Sequence, residues 1–408
     1  MKYMKQILHT PEGVRDIYNE ECRKKRKLQE MLHSVMHRYG YRDIETPTFE
    51  FFDVFSKEVG TVPSRELYKF FDKEGNTLVL RPDFTPSIAR AASKYFLEED
   101  MPIRLCYMGN TFINNASFQG RLKETTQLGA EYMGDSSVDA DAEMLSLVIE
   151  ALLQAGLKEF QVSVGHIDYF KSLLLEAGMN EEEEQTLRDL ISNKNPFGVE
   201  ELLSGLELSA EVKEGFSRLP QLYGSVEILE EAGKLAVNPL GVNSVERLSR
   251  LYDLLQLYGL ERYVSFDLGI VSKYKYYTGI IFRAYTYGTG EPVVKGGRYD
   301  SLLSQFGKES PSVGFAIVVD QLLTALNRQG ISVKTGCPPT LLLYREQERG
   351  RAISYAKGLR DAQSPVELLR MEEGKTLEDY RAYAHRIQAK AMRYFENGSI
   401  REELLQLS

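Results

Sequence analysis

The sequence predicts an α+β chain: an antiparallel sheet flanked by helices, a helical insertion over about 165–260, and a small C-terminal α/β unit over 326–408. Three observations carry that expectation. Gln127 to Tyr132 alternate strictly, with Leu128, Ala130 and Tyr132 on one strand face and Gln127, Gly129 and Glu131 on the other. From about 165 to 260 the texture turns to helix after helix, and strand patterns return in YVSFDLGIV and YYTGIIFRAYTYG. The last stretch holds the strand TLLLY and two helical segments, around 346–361 and 376–394. The polar row of Gln127, Gly129 and Glu131 leaves two readings open. It is either the solvent-washed side of a half-buried sheet or the floor of a pocket for a small polar ligand.

Taken in order, residues 18–39 form an amphipathic helix. Leu28, Leu32, Val35 and Met36 share one face, basic residues cover the other, and Gly40 follows as a C-terminal cap. His33 and His37 sit one turn apart, a spacing that can chelate zinc. No HExxH glutamate accompanies them and no third ligand is evident, so no metal site is expected. Glu74-Gly75-Asn76 makes a hairpin turn before a strand from Thr77 to Leu80. Arg81-Pro82-Asp83-Phe84-Thr85-Pro86 then opens a helix, with Thr85 as its N-cap and Pro86 as its first residue. That corner is a usual place for ligand contacts. Asn180 and four consecutive glutamates read as an N-cap and a solvated acidic first turn. After the returning strand patterns come Gly296-Gly297-Arg298-Tyr299-Asp300 and an apolar run, Val313–Val319.

Bulk properties narrow the function. At 408 residues the chain is long enough for two or three domains, and 43% hydrophobic with 27% charged residues describes a folded protein. A net charge of −9 argues against nucleic-acid binding as its main business, since phosphate recognition rests on excess Lys and Arg. Cys22, Cys106 and Cys337 are too few and too scattered for a disulfide framework, which suits a reducing compartment. The N-terminus lacks an apolar signal segment, and no run approaches the ~18 apolar residues of a membrane span. A cytoplasmic protein without cofactor is expected.

Several segments together resemble class II histidyl-tRNA synthetases. GRLKETTQLGAEYMG is similar to that family's second signature motif, GRxREFxQxGxExxG, and KYYTGIIF to its histidine-specific DYYTGxxFE stretch. GGRYDSLL and PSVGFAI resemble the approach to the third motif, while TPEGVRDI and RPDFTP add to the match. The likeness runs over residues ~10–325 and implies a class II aminoacyl-tRNA synthetase-like core over 1–325. It also implies a histidine pocket: Glu131 and Tyr277 for the imidazole nitrogens, and Gln127, Asp83 and Thr85 for the amino-acid end, with Tyr276 and Arg121 nearby. The chemistry is coherent, because a neutral imidazole offers one donor and one acceptor, and a buried carboxylate facing a phenol can satisfy both.

The departures from the family carry as much weight. The arginine after the second-motif phenylalanine, which holds the ATP phosphate, is Ile113 here. The catalytic arginine before the Tyr-Tyr-Thr-Gly run is Ser272, and the last adenylate-binding arginine is Gln321. Val318 stands where a glycine should let the backbone lie close to the nucleotide. Losing one positioned arginine in such a step typically costs ~10²–10³ in rate. The adenylation site is therefore expected to be dead, against the rival reading of a divergent, active ligase. A synthetase core without these arginines, followed by a shortened C-terminal unit, resembles the regulatory subunits of ATP phosphoribosyltransferase. That likeness implies a non-catalytic, allosteric role in the first step of histidine biosynthesis. The implied partner is a short-form catalytic subunit in a hetero-octamer, with histidine as feedback effector. It also implies a homodimer through the first-motif region, TPTFEFF, with Pro47 near its centre.

Overall fold

The computed structural model describes residues 8–56, 62–115, 122–271, 276–396 and 399–405. The chain divides into two compact units, Met1–Val333 and Lys334–Ser408.

In the first unit the helix Asn19–Arg38 buries Leu28, Leu32, Val35 and Met36 completely. Each such side chain contributes roughly 1.5–3 kcal/mol when removed from water. Gly40 follows in the left-handed region at φ +79°, a conformation that L side chains rarely adopt. The chain continues through β1 (Arg42–Asp43), β2 (Phe49–Phe51), β3 (Lys69–Phe71) and β4 (Thr77–Leu80) into the helix Thr85–Tyr95. Next come β5 (Ile103–Phe112), β6 (Glu124–Met133), the helix Val138–Gln154 and β7 (Phe160–His166).

Helices Ile167–Ala177, Glu181–Ser192, Pro196–Ser204, Ala210–Arg218, Ile228–Lys234 and Pro239–Tyr258 form the helical insertion, interrupted by the short β8 (Tyr223–Gly224). Asn180 caps the acidic helix start by accepting from the backbone of Glu182 and Glu183, and Glu183 reaches back to complete a capping box. β9 (Val264–Asp267), β10 (Ile280–Thr286), β11 (Val294–Arg298) and β12 (Ser312–Val318) lead to the helix Val319–Arg328.

Nine strands make one sheet in the order β1-β5-β6-β12-β11-β10-β7-β9-β8. The six strands from β5 to β7 in that order are antiparallel. The helices Asn19–Arg38 and Val138–Gln154 pack together over the face that carries Leu128, Ala130 and Tyr132. The opposite face, with Gln127, Gly129 and Glu131, is covered by Phe84 and Ile88 from the helix corner and by Tyr107, Tyr277 and Tyr299. The alternation in β6 thus divides two packed layers, and its polar row is not washed by solvent. A separate three-stranded antiparallel sheet has the order β2-β4-β3.

In the second unit, β13 (Thr340–Tyr344) pairs in parallel with β14 (Val366–Arg370) and β15 (Ala391–Glu396), and β16 (Ser399–Leu404) pairs antiparallel with β15. Helices Arg349–Asp361 and Leu377–Arg386 connect these strands. The helix expected over about 376–394 ends at Arg386. Gln388 takes φ +52°, and the following residues become β15. An apolar run of that length fits helix or strand by periodicity alone, and pairing along β13 decides it. Among the described residues no helix is long and apolar enough to cross a membrane.

Candidate functional site

The site is built where β6, β12 and β11 lie side by side. Their register sets Glu131 opposite Gly314, and Gly314 opposite Gly297. A Cβ on Gly314 would stand 1.7 Å from Glu131 Oε2, and one on Gly297 2.6 Å from the Tyr277 ring. These two glycines therefore hold space for the carboxyl and the phenol, which no larger residue leaves open.

Glu131 is 1% exposed. Its Oε1 accepts a 2.8 Å hydrogen bond from the Thr85 hydroxyl, and its Oε2 accepts a short one from the Tyr299 hydroxyl. Burial pushes the carboxyl up to about 8; the bonds from Tyr299 and Thr85 pull it down, and the neighbouring Asp83 charge adds to the rise. The Tyr299 and Tyr107 phenols are fully buried beside it and held well above their ordinary range, first by burial and then by the Glu131 charge.

Above the carboxyl lies a cavity of about 120 Å³, room for several waters or one small ligand. One wall is Asp83 and Thr85 from the helix corner, another is Tyr276, Tyr277 and Tyr299, and the backbone of Gly296, Gly297 and Gly314 closes a third side. Gln127 lines it too, and its Oε1 is buried without a hydrogen-bond partner among the described residues. An unsatisfied buried acceptor is costly, by about 1–3 kcal/mol, unless something donates to it. Ile113 and Val318 contribute aliphatic surface, and Lys295 is the cation among the described lining residues.

The expected residues converge with two differences. Thr85 is the first residue of its helix and not its cap: Phe84 occupies the cap position, and Asp83 Oδ1 accepts from the Phe84 and Thr85 backbone N–H groups at 2.7 and 3.4 Å. The Thr85 hydroxyl is thereby left to donate to Glu131. Glu131 itself is not on the cavity wall; the hydroxyls of Thr85 and Tyr299, which are, bond to its two oxygens. Asp83, Gln127, Tyr276 and Tyr277 all line the cavity. Ile113 also lines it, whereas Gln321 sits on the helix Val319–Arg328 away from the lining. Arg121 and Ser272 lie outside the described residues. Tyr299 is the residue that reading the sequence missed. Its signal was the Gly-Gly-Arg-Tyr-Asp run, where the tyrosine stands two residues after Gly297, which leaves room for the Tyr277 ring.

On the other side of β11, Arg298 is 2% exposed and grips Asp141 through Nε at 3.0 Å and Nη2 at 2.6 Å. Arg247 holds the second Asp141 oxygen through its Nε at 2.8 Å. Burial pushes the Asp141 carboxyl up and the two guanidinium groups pull back against it.

Comparison with known proteins gives this geometry a lineage. The histidyl-tRNA synthetase family model matches residues 13–322. The chain is 40% identical over 367 residues to a Ruminiclostridium cellulolyticum protein named ATP phosphoribosyltransferase regulatory subunit, covering 90% of this chain and 88% of that one. A Clostridium kluyveri protein of the same name is 36% identical over 379 residues, covering 92% and 96%. Among solved structures, a Bacillus halodurans protein described as an ATP phosphoribosyltransferase regulatory subunit/histidyl-tRNA synthetase matches with a TM-score of 0.85 at 33% identity, over 95% of this chain and 98% of that one. A histidyl-tRNA synthetase from Nostoc sp. PCC 7120 matches with a TM-score of 0.79 over 97% of each chain, and at 18% identity it speaks to the fold alone. On this identity and coverage, the chain belongs to the ATP phosphoribosyltransferase regulatory subunits, a family built on the histidyl-tRNA synthetase fold.

Proposed function

We propose that the chain is the non-catalytic regulatory subunit of ATP phosphoribosyltransferase, required for the first step of histidine biosynthesis, and that histidine bound above Glu131 is its feedback effector. The observation that carries this reading is the chemistry of the cavity. Acceptors for N–H groups line one side, and aliphatic Ile113 and Val318 stand where the family resemblance asks for an arginine and a nucleotide-contacting glycine. An amino acid fits such a wall. A triphosphate needs several positioned cations, and Lys295 is the cation among the described lining residues.

The residues divide the work. Asp83 and Gln127 Oε1 accept from the ligand's ammonium group, and Tyr277 faces the imidazole. Thr85 and Tyr299 stand between the ligand and Glu131, so an imidazole N–H reaches the carboxyl by bonding a second lone pair or by displacing one hydroxyl. A carboxyl kept near neutral by burial becomes a stronger acceptor as the donor arrives. Histidine then inhibits by favouring one state of the assembly, and a coupling of ~1–3 kcal/mol gives about 5–150-fold control.

The catalytic partner is the short-form ATP phosphoribosyltransferase chain, in a hetero-octamer built on homodimers of this subunit. Support for the homodimer comes from the small sheet: Phe49, Phe51 and Phe70 are 51%, 55% and 37% exposed, with Phe49 and Phe70 in edge-to-face contact. A contiguous aromatic patch of this kind marks an interface. The three cysteines are unpaired, in keeping with a reducing cytoplasm.

Two measurements test the reading. Calorimetry on the purified chain is expected to show saturable histidine binding that Glu131→Gln weakens by ~10–100-fold, since the amide puts a donor where the ligand N–H needs an acceptor and leaves a buried polar group unsatisfied. ATP–pyrophosphate exchange with histidine is expected to be absent; measurable exchange would establish a working ligase and overturn the proposal.

A further inference from the structure

His33 and His37, one turn apart on the helix Asn19–Arg38, do have further potential ligands. Asp43 on β1 and Cys106 on β5 are register partners in a parallel strand pair, so their side chains emerge on the same face of the sheet, beneath that helix. All four ligand atoms lie within 4.8 Å of one another. His33 Nε2 is 2.5 Å from Asp43 Oδ1, His37 Nε2 is 3.0 Å from Asp43 Oδ2, and Cys106 Sγ is 3.4 Å from Oδ1. The two imidazole rings stand 4.2 Å apart with their Nε2 atoms turned to one carboxylate. Among the described residues no other group of three or more His, Cys, Asp or Glu gathers its ligand atoms in this way.

We infer that these four side chains form a binding site for a divalent transition-metal ion of the zinc type. Two imidazoles, one carboxylate and one thiolate are the donor set such ions take in tetrahedral sites. A tetrahedron with bonds of ~2.0–2.3 Å spaces its ligand atoms by roughly 3.3–3.8 Å, so the 2.5 Å contact opens by about 1 Å when the ion enters. On binding, the Cys106 thiol releases its proton to solvent and each imidazole presents the Nε2 lone pair, its proton residing on Nδ1. The ion has a way in, because the side chains of His37 and Asp43 are 46% and 59% exposed. It would tie the last two turns of the helix to the β1–β5 edge, in the segment that leads into β2. Its role is structural, and it is independent of histidine binding.

The test uses the full chain with Cys22→Ser and Cys337→Ser, so that Cys106 is the remaining thiol, stripped with chelator and titrated with Co²⁺ and Zn²⁺. One Co²⁺ per chain is expected, with intense tetrahedral d–d bands and a thiolate-to-metal charge-transfer band that Zn²⁺ abolishes. Cys106→Ser removes the charge-transfer band. His37→Ala, at a half-exposed position that leaves the core intact, lowers affinity at least ~10-fold and removes the rise in Tm that Zn²⁺ brings. No saturable binding at micromolar metal overturns the inference, as does a cobalt spectrum that neither substitution alters.

Discussion

Two buried carboxyls, Glu131 on β6 and Asp141 on the helix Val138–Gln154, are satisfied in opposite ways. Asp141, fully buried, faces the guanidinium groups of Arg298 and Arg247. Glu131, 1% exposed, has two hydroxyls, from Thr85 and Tyr299, and no ion pair among the described residues. Burial raises both carboxyls. At Asp141 opposite charges pull back, while at Glu131 neutral donors do so, and that carboxyl rests at about 8. The difference separates structure from function. A carboxylate compensated inside the fold asks nothing of a ligand; one held neutral beneath a cavity is poised to respond to a donor.

The largest effect is expected at the ion pair. Arg298→Met leaves Asp141 buried with Arg247 alone, and should cost roughly 3–5 kcal/mol in urea unfolding, as for other broken buried pairs. A loss under 1 kcal/mol would mean that Arg247 compensates Asp141 unaided.

The next effect is the pH dependence of stability. The Glu131 carboxyl is raised in the folded chain from 4.5 to about 8, so the folded state keeps a proton that the unfolded state has released. Its contribution to stability therefore declines as pH rises from about 4.5 to about 8 and is flat above, by at most ~1.4 kcal/mol per pH unit. Glu131→Gln, which copies the neutral carboxyl in shape, should remove this slope and leave the chain more stable at pH 8. Urea unfolding at pH 6 and 8 measures it.

Tyr299→Phe removes one of the two donors, leaves a buried carboxyl oxygen unsatisfied and should cost about 1–3 kcal/mol. It should also weaken histidine binding in calorimetry, unlike Arg298→Met, which spares the cavity. The smallest effect concerns catalysis. Ile113→Arg restores a single cation and should leave pyrophosphate exchange at background, because Val318 and Gln321 remain.

Parts of this were legible in the sequence. The alternation of Gln127–Tyr132 assigned the two faces of β6 correctly, since a period of two survives any context that pairs the strand. Family resemblance brought Asp83, Gln127 and Tyr277 to one place. What escaped were contacts between residues far apart in the chain. Tyr299 reaches Glu131 across 168 residues, and Cys106 reaches Asp43 across 63; neither leaves a local spacing to read. Thr85 was misread for a related reason. Its position suited an N-cap, but Asp83 takes the backbone donors and the hydroxyl turns to a carboxyl on another strand. The end of the expected 376–394 helix became β15 because β13 was available as a partner.

The most direct measurement is histidine inhibition of the reconstituted assembly. The short-form catalytic subunit would be assayed with this chain and with its Glu131→Gln variant over a histidine titration. The predicted result is that the half-maximal inhibitory concentration rises by ~10–100-fold in the variant complex, because the amide puts a donor where the incoming N–H needs an acceptor and leaves a buried polar group unsatisfied. Inhibition at an unchanged histidine concentration would contradict the account and move the effector site elsewhere.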